Sequence, residues 1–472
     1  MDIDRFRKIA HQLVDWMADY LDDSETYPVL PDLEPGAIEA QIPDKAPESP
    51  QDFDAIWSDF QSAILPGMTH WNHPGFFAYF PANHSPPSIL AEMLTATLGA
   101  QCMSWETSPA ATELEESMMS WLADLLALPP GFTGVIQDTA SSSTLVSLLT
   151  AREAATAGDI GRRGMVDAGK PWVIYTSDQA HSSIDKAVKL AGFGLDHLRK
   201  IAVDDHFAMR PECLQEAIIA DRHAGRIPLA VVATVGTTSS AAVDPLEPIG
   251  DICRRHDLWF HVDAAYAGSA AILPEKRWIF DGIDAADSLV FNPHKWLLTN
   301  FDCSAYFVRD VDGLINTFKA SPEYLKTAHD DEVSNFRDWG IPLGRRFRAL
   351  KLWFVMRSYG AQALRQLLRR HIDLATHFAG AVDDHPHFER LAPVDFGLVC
   401  FRLRPPGRSD EELDRLNQQL LDALYDVDHL HLTHTRLAGD LCLRLSIGQW
   451  KTDERHVQRA WQTIQDCAQA LI

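Results

Sequence analysis

Four short apolar runs stand in the middle of this chain: "WVIYTS" (172–177), "LAVVATVG" (229–236), "LWFHVDAAY" (258–266) and "SLVFNP" (288–293). Helical segments such as "PLEPIGDICRRHD" separate them. Continuous β-branched and aromatic runs that alternate with helices predict strands buried on both faces, as in a parallel sheet flanked by helices. The fold class is therefore α/β. This pattern occupies 86–384, the expected large domain. Residues 385–472 mix strands ("GLVCFRLRP", "DLCLRLSIG") with two helices and predict a small C-terminal α+β domain. Residues 1–85 predict an arm. Phe6, Ile9, Leu13, Met17 and Tyr20 follow helical spacing, and the proline-broken "YPVLPDLEPGAIEAQIPDKAPESP" comes next. An amphipathic helix of this kind needs a partner surface.

Charge and cysteine usage remove several classes of function. The 472 residues carry 42 basic and 66 acidic side chains, a net charge of −24. A nucleic-acid partner is not expected, because that needs a basic footprint. The arginine-dense "GRRFRALKLWF" from Gly344 alternates charge with apolar residues, so packing and salt bridging account for it. Seven scattered cysteines without CxxC spacing read as reduced thiols and point to the cytoplasm. The charged N-terminus has no signal-peptide core, and no run approaches a membrane span. His70, His73 and His84 lack the usual metal-ligand spacing, so no metal is expected.

Ligands of open α/β sheets bind beyond the carboxyl ends of the strands. His181 follows "VIYTSDQA", Thr234 ends "LAVVAT", Asp263 ends "WFHV", and Asn292 and Lys295 follow "SLVF". Together they suggest a site. A lysine in the apolar company of "FNPHKWLL" either reaches the surface along its stem, finds a carboxylate, or is kept neutral or covalently modified. Asp263 could cap the next segment, or could hold a proton on a cofactor nitrogen. Pyridoxal 5'-phosphate (PLP) needs a lysine at its aldehyde and an acid at its pyridinium nitrogen. The stretch "IQDTASSST" offers hydroxyls and backbone N–H groups at a helix start, suited either to a simple cap or to a phosphate. His181 could stack on a ring or be an ordinary hydrogen-bonded histidine.

Seven stretches resemble, in order, those of the group II PLP-dependent amino-acid decarboxylases, most of all the aromatic-L-amino-acid branch. They are "HWNHPGFFAYFP", "SWETSPAATELE", "GVIQDTASSSTLV", "SDQAHSSIDKA", "HVDAAYAGSA", "FNPHKWLLTNFDCSA" and "WGIPLGRRFRALKLWF". The resemblance implies a fold-type-I (aspartate aminotransferase-like) enzyme, mostly parallel in its central sheet. It also implies a homodimer whose N-terminal arm crosses the partner. Lys295 matches the Schiff-base lysine, Asp263 the partner of the ring nitrogen and His181 the ring-stacking histidine. Ala140, Ser141 and Asn292 match phosphate-binding positions, and Ala265 is placed at the cofactor by the same match. Thr234 and His294 match residues beside cofactor and substrate. Trp71, Tyr79, Phe80 and Pro81 match the aromatic wall of the substrate pocket. Tyr324, in "SPEYLKTAHDDEV", matches the tyrosine of a mobile loop that protonates the substrate carbanion; relatives with phenylalanine there tend to be aldehyde synthases.

The resemblance thus implies decarboxylation of an aromatic L-amino acid to the arylalkylamine. Ala82 stands where relatives often carry threonine. Gln101 and Met103 replace more apolar residues in a segment that serves the neighbouring subunit's pocket, and Gly344 matches a glycine common among members acting on aromatic side chains. These positions bear on substrate choice. The rivals are an oxidative aldehyde synthase, a PLP transaminase, a non-catalytic scaffold and a nicotinamide-dependent dehydrogenase. The scaffold would be marked by loss of Lys295 or Asp263, and both are present; the dehydrogenase lacks a GxGxxG after a strand.

Overall fold

In the computed structural model, which describes residues 1–165, 169–320, 329 and 332–472, the four apolar runs lie in one seven-stranded sheet. Its strands are β1 (Thr133–Gln137), β2 (Trp172–Ser177), β3 (Leu198–Ile201), β4 (Ile227–Thr234), β5 (Trp259–Asp263), β6 (Ser288–Phe291) and β7 (Ser304–Val308). The order is β1-β7-β6-β5-β4-β2-β3. Strands β2 to β6 pair in parallel, whereas β7 runs antiparallel to both β6 and β1. Every residue of β2 and β6 is buried, as runs apolar on both faces require.

Three strands of this sheet escaped the sequence pattern: β1, β3 and β7. "GVIQ" reads as a turn-rich approach to a helix, yet it forms most of β1. Its glycine is there for close packing, since a Cβ at Gly134 would lie 2.3 Å from Met119 Cε.

The second sheet is antiparallel and consists of β8 (Phe388–Arg390), β9 (Leu398–Leu403), β10 (Thr433–Leu437) and β11 (Asp440–Ser446), in the order β10-β11-β9-β8. Helices Asp410–Tyr425 and Glu454–Gln469 close its core through Leu416, Leu420 and Ile464, packed on Leu443 and Leu445. The long helix Arg348–Asp383, broken by non-helical geometry at Gly360 (φ 68°), packs on both sheets' layers and links them. The first residues of "GRRFRALKLWF" precede this helix. The arginines here are ion-paired as expected, Arg345 with Glu115 and Arg346 with Glu92 before the helix and Arg348, its first residue, with Asp302.

The arm begins with helix Ile3–Asp22, capped by Asp2, whose side chain accepts from Arg5 N–H. Of this helix only Ile9 is buried, while Ile3, Phe6 and Val14 are exposed. The aromatic run then joins the small sheet: Phe77 N–H donates to the His431 carbonyl and Ser446 N–H to the Phe77 carbonyl. His70 and His73 are engaged locally, by Tyr20 Oη at 2.6 Å and Gly75 N–H at 2.8 Å.

Candidate active site

Strand register brings the suspected residues together. Thr234 at the end of β4 lies beside Asp263 at the end of β5, which lies beside Val290 of β6. Past β6, Pro293 opens a single helical turn, 293–296, that carries His294 and Lys295. The turn is fixed at both ends. Lys295 N–H donates to the Asn292 carbonyl at 2.9 Å, and Asn83 reaches in to donate from N–H to the His294 carbonyl (2.8 Å) and from Nδ2 to the Lys295 carbonyl (3.2 Å).

These residues surround a cavity of about 210 Å³. Of the residues singled out from the sequence, it gathers Phe80, Ala140, Ser141, His181, Thr234, Asp263, Ala265, Asn292, His294 and Lys295. One wall is the start of helix Ala140–Ala155. Thr139 caps it by accepting from Ser142 N–H at 3.3 Å, and Asp138 in turn accepts from Thr139 N–H at 2.7 Å. The unpaired N–H groups and dipole of such a helix end favour an anion.

The floor is aromatic. Phe80 stacks on Tyr266 with ring centres 3.8 Å apart, and Tyr266 stacks on Trp296 at 4.8 Å. Trp296 Nε1–H donates to His371 Nδ1 at 3.0 Å, so this fully buried indole is hydrogen-bonded.

Electrostatics distinguish the groups. Burial pulls the Lys295 ammonium below its ordinary range; Asp263 pulls it back up and Arg444 presses it down further. Burial likewise lowers His181, against the opposing charge of Asp263. Ser183 N–H donates to His181 Nδ1 at 3.1 Å, which leaves Nε2 as the protonated nitrogen of the neutral ring. His294 is held the same way by Cys303 N–H at 2.9 Å, and burial takes its pKa down to about 3. Asp263 is buried and accepts from Ala265 N–H at 3.1 Å. Asn292 commits its side-chain oxygen to Ser304 Oγ at 2.7 Å. Thr234 Oγ1 is buried with no partner among the described residues, a polar atom waiting for a ligand.

The remaining residues singled out from the sequence lie elsewhere. Trp71 and Tyr79 stack on each other at 5.6 Å and are exposed at 39 % and 53 %. Gln449 Nε2–H bridges the carbonyls of Trp71 and Ala82, beside the buried Pro81. Gln101 and Gly344 are neighbours, since Gln101 accepts from Arg345 N–H at 2.8 Å, and Met103 accepts from Arg337 N–H. None of these borders the cavity around Lys295. Tyr324 lies outside the described residues.

The cavity also includes residues that sequence reasoning passed over: Thr139, Ser183, Gly236, Thr238, Tyr266 and Phe301. The helix start in "DTASSST" was a signal for Thr139; Gly236 and Thr238 come from the loop after β4 and carried none.

An amine, a carboxylate and an anion-binding helix end around one small aromatic-floored cavity match what PLP requires. The comparisons agree. The pyridoxal-dependent decarboxylase conserved domain matches residues 35–404. Over the whole chain, phenylacetaldehyde synthase of Arabidopsis thaliana is 45 % identical, with 97 % of its length covered. Aromatic-L-amino-acid decarboxylase of Mus musculus is 43 % identical, with 99 % covered. Among solved structures, Catharanthus roseus tryptophan decarboxylase in complex with L-tryptophan superposes with a TM-score of 0.94 at 41 % identity, covering 100 % of this chain and 99 % of that one. Oryza sativa TDC with PLP and tryptamine superposes at 0.96 with 38 % identity and the same coverage. The chain belongs to the pyridoxal-dependent decarboxylase family, and is a fold-type-I lyase that uses PLP.

Proposed function

We propose that this enzyme removes carbon dioxide from an aromatic L-amino acid (DOPA, 5-hydroxytryptophan, tryptophan, tyrosine or phenylalanine) and releases the arylalkylamine. The observation that carries the reading is the convergence of Lys295, Asp263 and His181 on one cavity beside a helix N-terminus. Relatives named tryptophan decarboxylase 2 (Oryza sativa) and aromatic-L-amino-acid decarboxylase support the substrate class.

Bound PLP supplies an electron-accepting ring that makes loss of the carboxylate feasible. Lys295 would hold the cofactor through its amine. Asp263 keeps the ring nitrogen protonated. The helix end at Ala140 and Ser141, with Asn292, would hold the phosphate, and His181 would serve the ring. Thr234 and His294 offer donors to cofactor and substrate, and Ala265 borders the cofactor. Tyr324 delivers a proton to the substrate Cα. The pocket is completed by Trp71, Tyr79, Phe80, Pro81 and Ala82, with Gln101, Met103 and Gly344 supplied across a homodimer. The exposed Ile3, Phe6, Leu90, Leu94 and Leu98 support a second copy packed on the arm and on helix Pro86–Leu98. The arm (1–85), large domain (86–384) and small domain (385–472) form the working divisions. Seven free cysteines support a cytoplasmic setting.

Product analysis tests this. Purified holoenzyme given a panel of amino acids in air should form amine and carbon dioxide in equal amounts, with an aromatic substrate highest in kcat/KM. Histidine or glutamate ranking first overturns the substrate class. The 45 % identity to a phenylacetaldehyde synthase supports a second reading, oxidative decarboxylation to an aldehyde. Aldehyde as main product, with oxygen consumed, selects that one.

A further inference from the structure

Arg444, on β11 of the small sheet, is a cation buried among neutral acceptors. Only 5 % of it is exposed. Its guanidinium donates to the carbonyls of Ser239 (3.0 Å) and Thr238 (2.7 Å) and to Thr433 Oγ1 (2.9 Å). Facing it are the phenol of Tyr266 and the thiols of Cys400 and Cys442 rather than a carboxylate. Cys400 Sγ lies 3.2 Å from the Ser239 carbonyl, while a hydrogen bond from Cys442 and the charge of Arg444 draw its pKa below the ordinary thiol value against the effect of burial. The N–H groups are satisfied, yet no carboxylate pairs with the buried charge, an arrangement that costs stability.

What it faces is the reactive lysine. The guanidinium carbon lies 5.3 Å from the centre of the Phe80 ring, and Lys295 Nζ lies 5.6 Å from the same centre. Two cations from two domains therefore share one aromatic ring and stand no more than about 11 Å apart. The other groups around Lys295 are Asp263, which attracts its proton, and His181 and His294, both kept neutral by burial.

We infer that Arg444 is a positioning residue that sets a fixed positive charge against Lys295 and so favours the free-amine, nucleophilic form of that lysine. The charge offsets Asp263, whose carboxylate would otherwise hold the lysine as an ammonium. Anchored to the loop of Thr238 and Ser239, Arg444 also ties the small domain to the cavity wall. The inference rests on Lys295 being the reactive amine proposed above. One unit charge about 11 Å away, at an effective dielectric near 20, moves an amine by about one pH unit.

The test reads Lys295 directly in the cofactor-free full chain. Brief acetylation with acetic anhydride across pH 6 to 11, followed by peptide mass spectrometry, gives the midpoint at which Lys295 becomes a free amine. The midpoint is separated from accessibility, which changes only the plateau. The parent should show a midpoint below that of exposed lysines, Arg444→Met a midpoint higher by about one unit, and Arg444→Lys the parent value. Arg444→Gln, which keeps donors for the two carbonyls, serves if Arg444→Met does not fold. A folded Met or Gln variant with the parent's midpoint overturns the inference. A parent whose Lys295 titrates like an exposed lysine overturns the reading of Lys295 itself.

Discussion

Glu115 shows how far from the cofactor the site is secured. It sits on helix Pro109–Leu125, 3 % exposed, and its Oε1 accepts from Arg345 at 2.7 Å and from Ile136 N–H of β1 at 2.8 Å. Arg345, 8 % exposed, also donates to the Ile136 carbonyl at 2.7 Å and lies over the Phe336 ring. Glu115→Ala strands a buried guanidinium and a strand N–H together. Removing one partner of a buried pair costs about 3–5 kcal/mol, and an orphaned N–H about 1–3 more where no water reaches it. These losses overlap, so a total near 5 kcal/mol follows, mostly from the stranded charge. Glu115→Gln keeps an acceptor for Ile136 and should lose about half as much. Glu115→Met with Arg345→Met removes both charges and should recover most of the loss, since apolar replacements of buried pairs are often neutral. Urea midpoints at fixed protein and PLP concentration measure this. A loss under about 1 kcal/mol in Glu115→Ala, or a double variant worse than either single one, refutes the reasoning. Because β1 leads directly into the Thr139 cap, the same variant should bind PLP more weakly.

Lys295→Ala should leave a folded protein in which borohydride no longer fixes PLP to the chain; fixation at another lysine would remove Lys295 from its role. Asp263→Ala should cut single-turnover decarboxylation by orders of magnitude even when saturated with PLP, with Asp263→Glu milder, as rapid-quench kinetics will show. Tyr324→Phe should turn the main product from amine to aldehyde with oxygen uptake, measured by an oxygen electrode and product chromatography. Stability should fall steeply in acid. Burial lowers His261, His294 and His371 to about 3 and His73, His84 and His431 to about 4, all below the ordinary 6.5, so the folded state resists protons that the unfolded chain takes up. Their stabilisation is complete above pH 6.5 and is lost as pH falls toward 4. Asp244 and Asp287, raised to about 7 and about 6, act in the opposite sense. Six protons against two leave about 5 kcal/mol lost per pH unit between pH 6 and 4, at about 1.36 kcal/mol per proton per unit. Urea midpoints that stay flat over that window would contradict it.

The parallel strands were legible because burial on both faces forces a run of apolar residues, a signal that needs no partner. Strand ends were legible for the same reason: a polar residue closing such a run, as Thr234 and Asp263 do, has to be explained. The edge strands β1 and β3 and the antiparallel β7 were not, because Gly134 in β1 answers to Met119 on the preceding helix rather than to its own strand and "SAYFV" is too short to stand out. The same division runs through the site. Lys295, His181 and Asn292 each follow a strand and Asp263 closes one, whereas Gly236 and Thr238 lie in a loop that Arg444 of the small sheet holds at the Thr238 carbonyl. Arg444 is the clearest case. Within "DLCLRLSIG" it alternates as an outward-facing strand residue should, and solvent is the ordinary expectation for its side chain. Only the docking of the small sheet, with Phe77 paired to Ser446 and Phe80 stacked on Tyr266, turns that face toward the cavity and encloses the charge. Local sequence thus records which residues must be buried in their own element. A residue buried by the meeting of two elements is written in neither of them, and at this meeting stand both the aromatic floor and the guanidinium that faces Lys295.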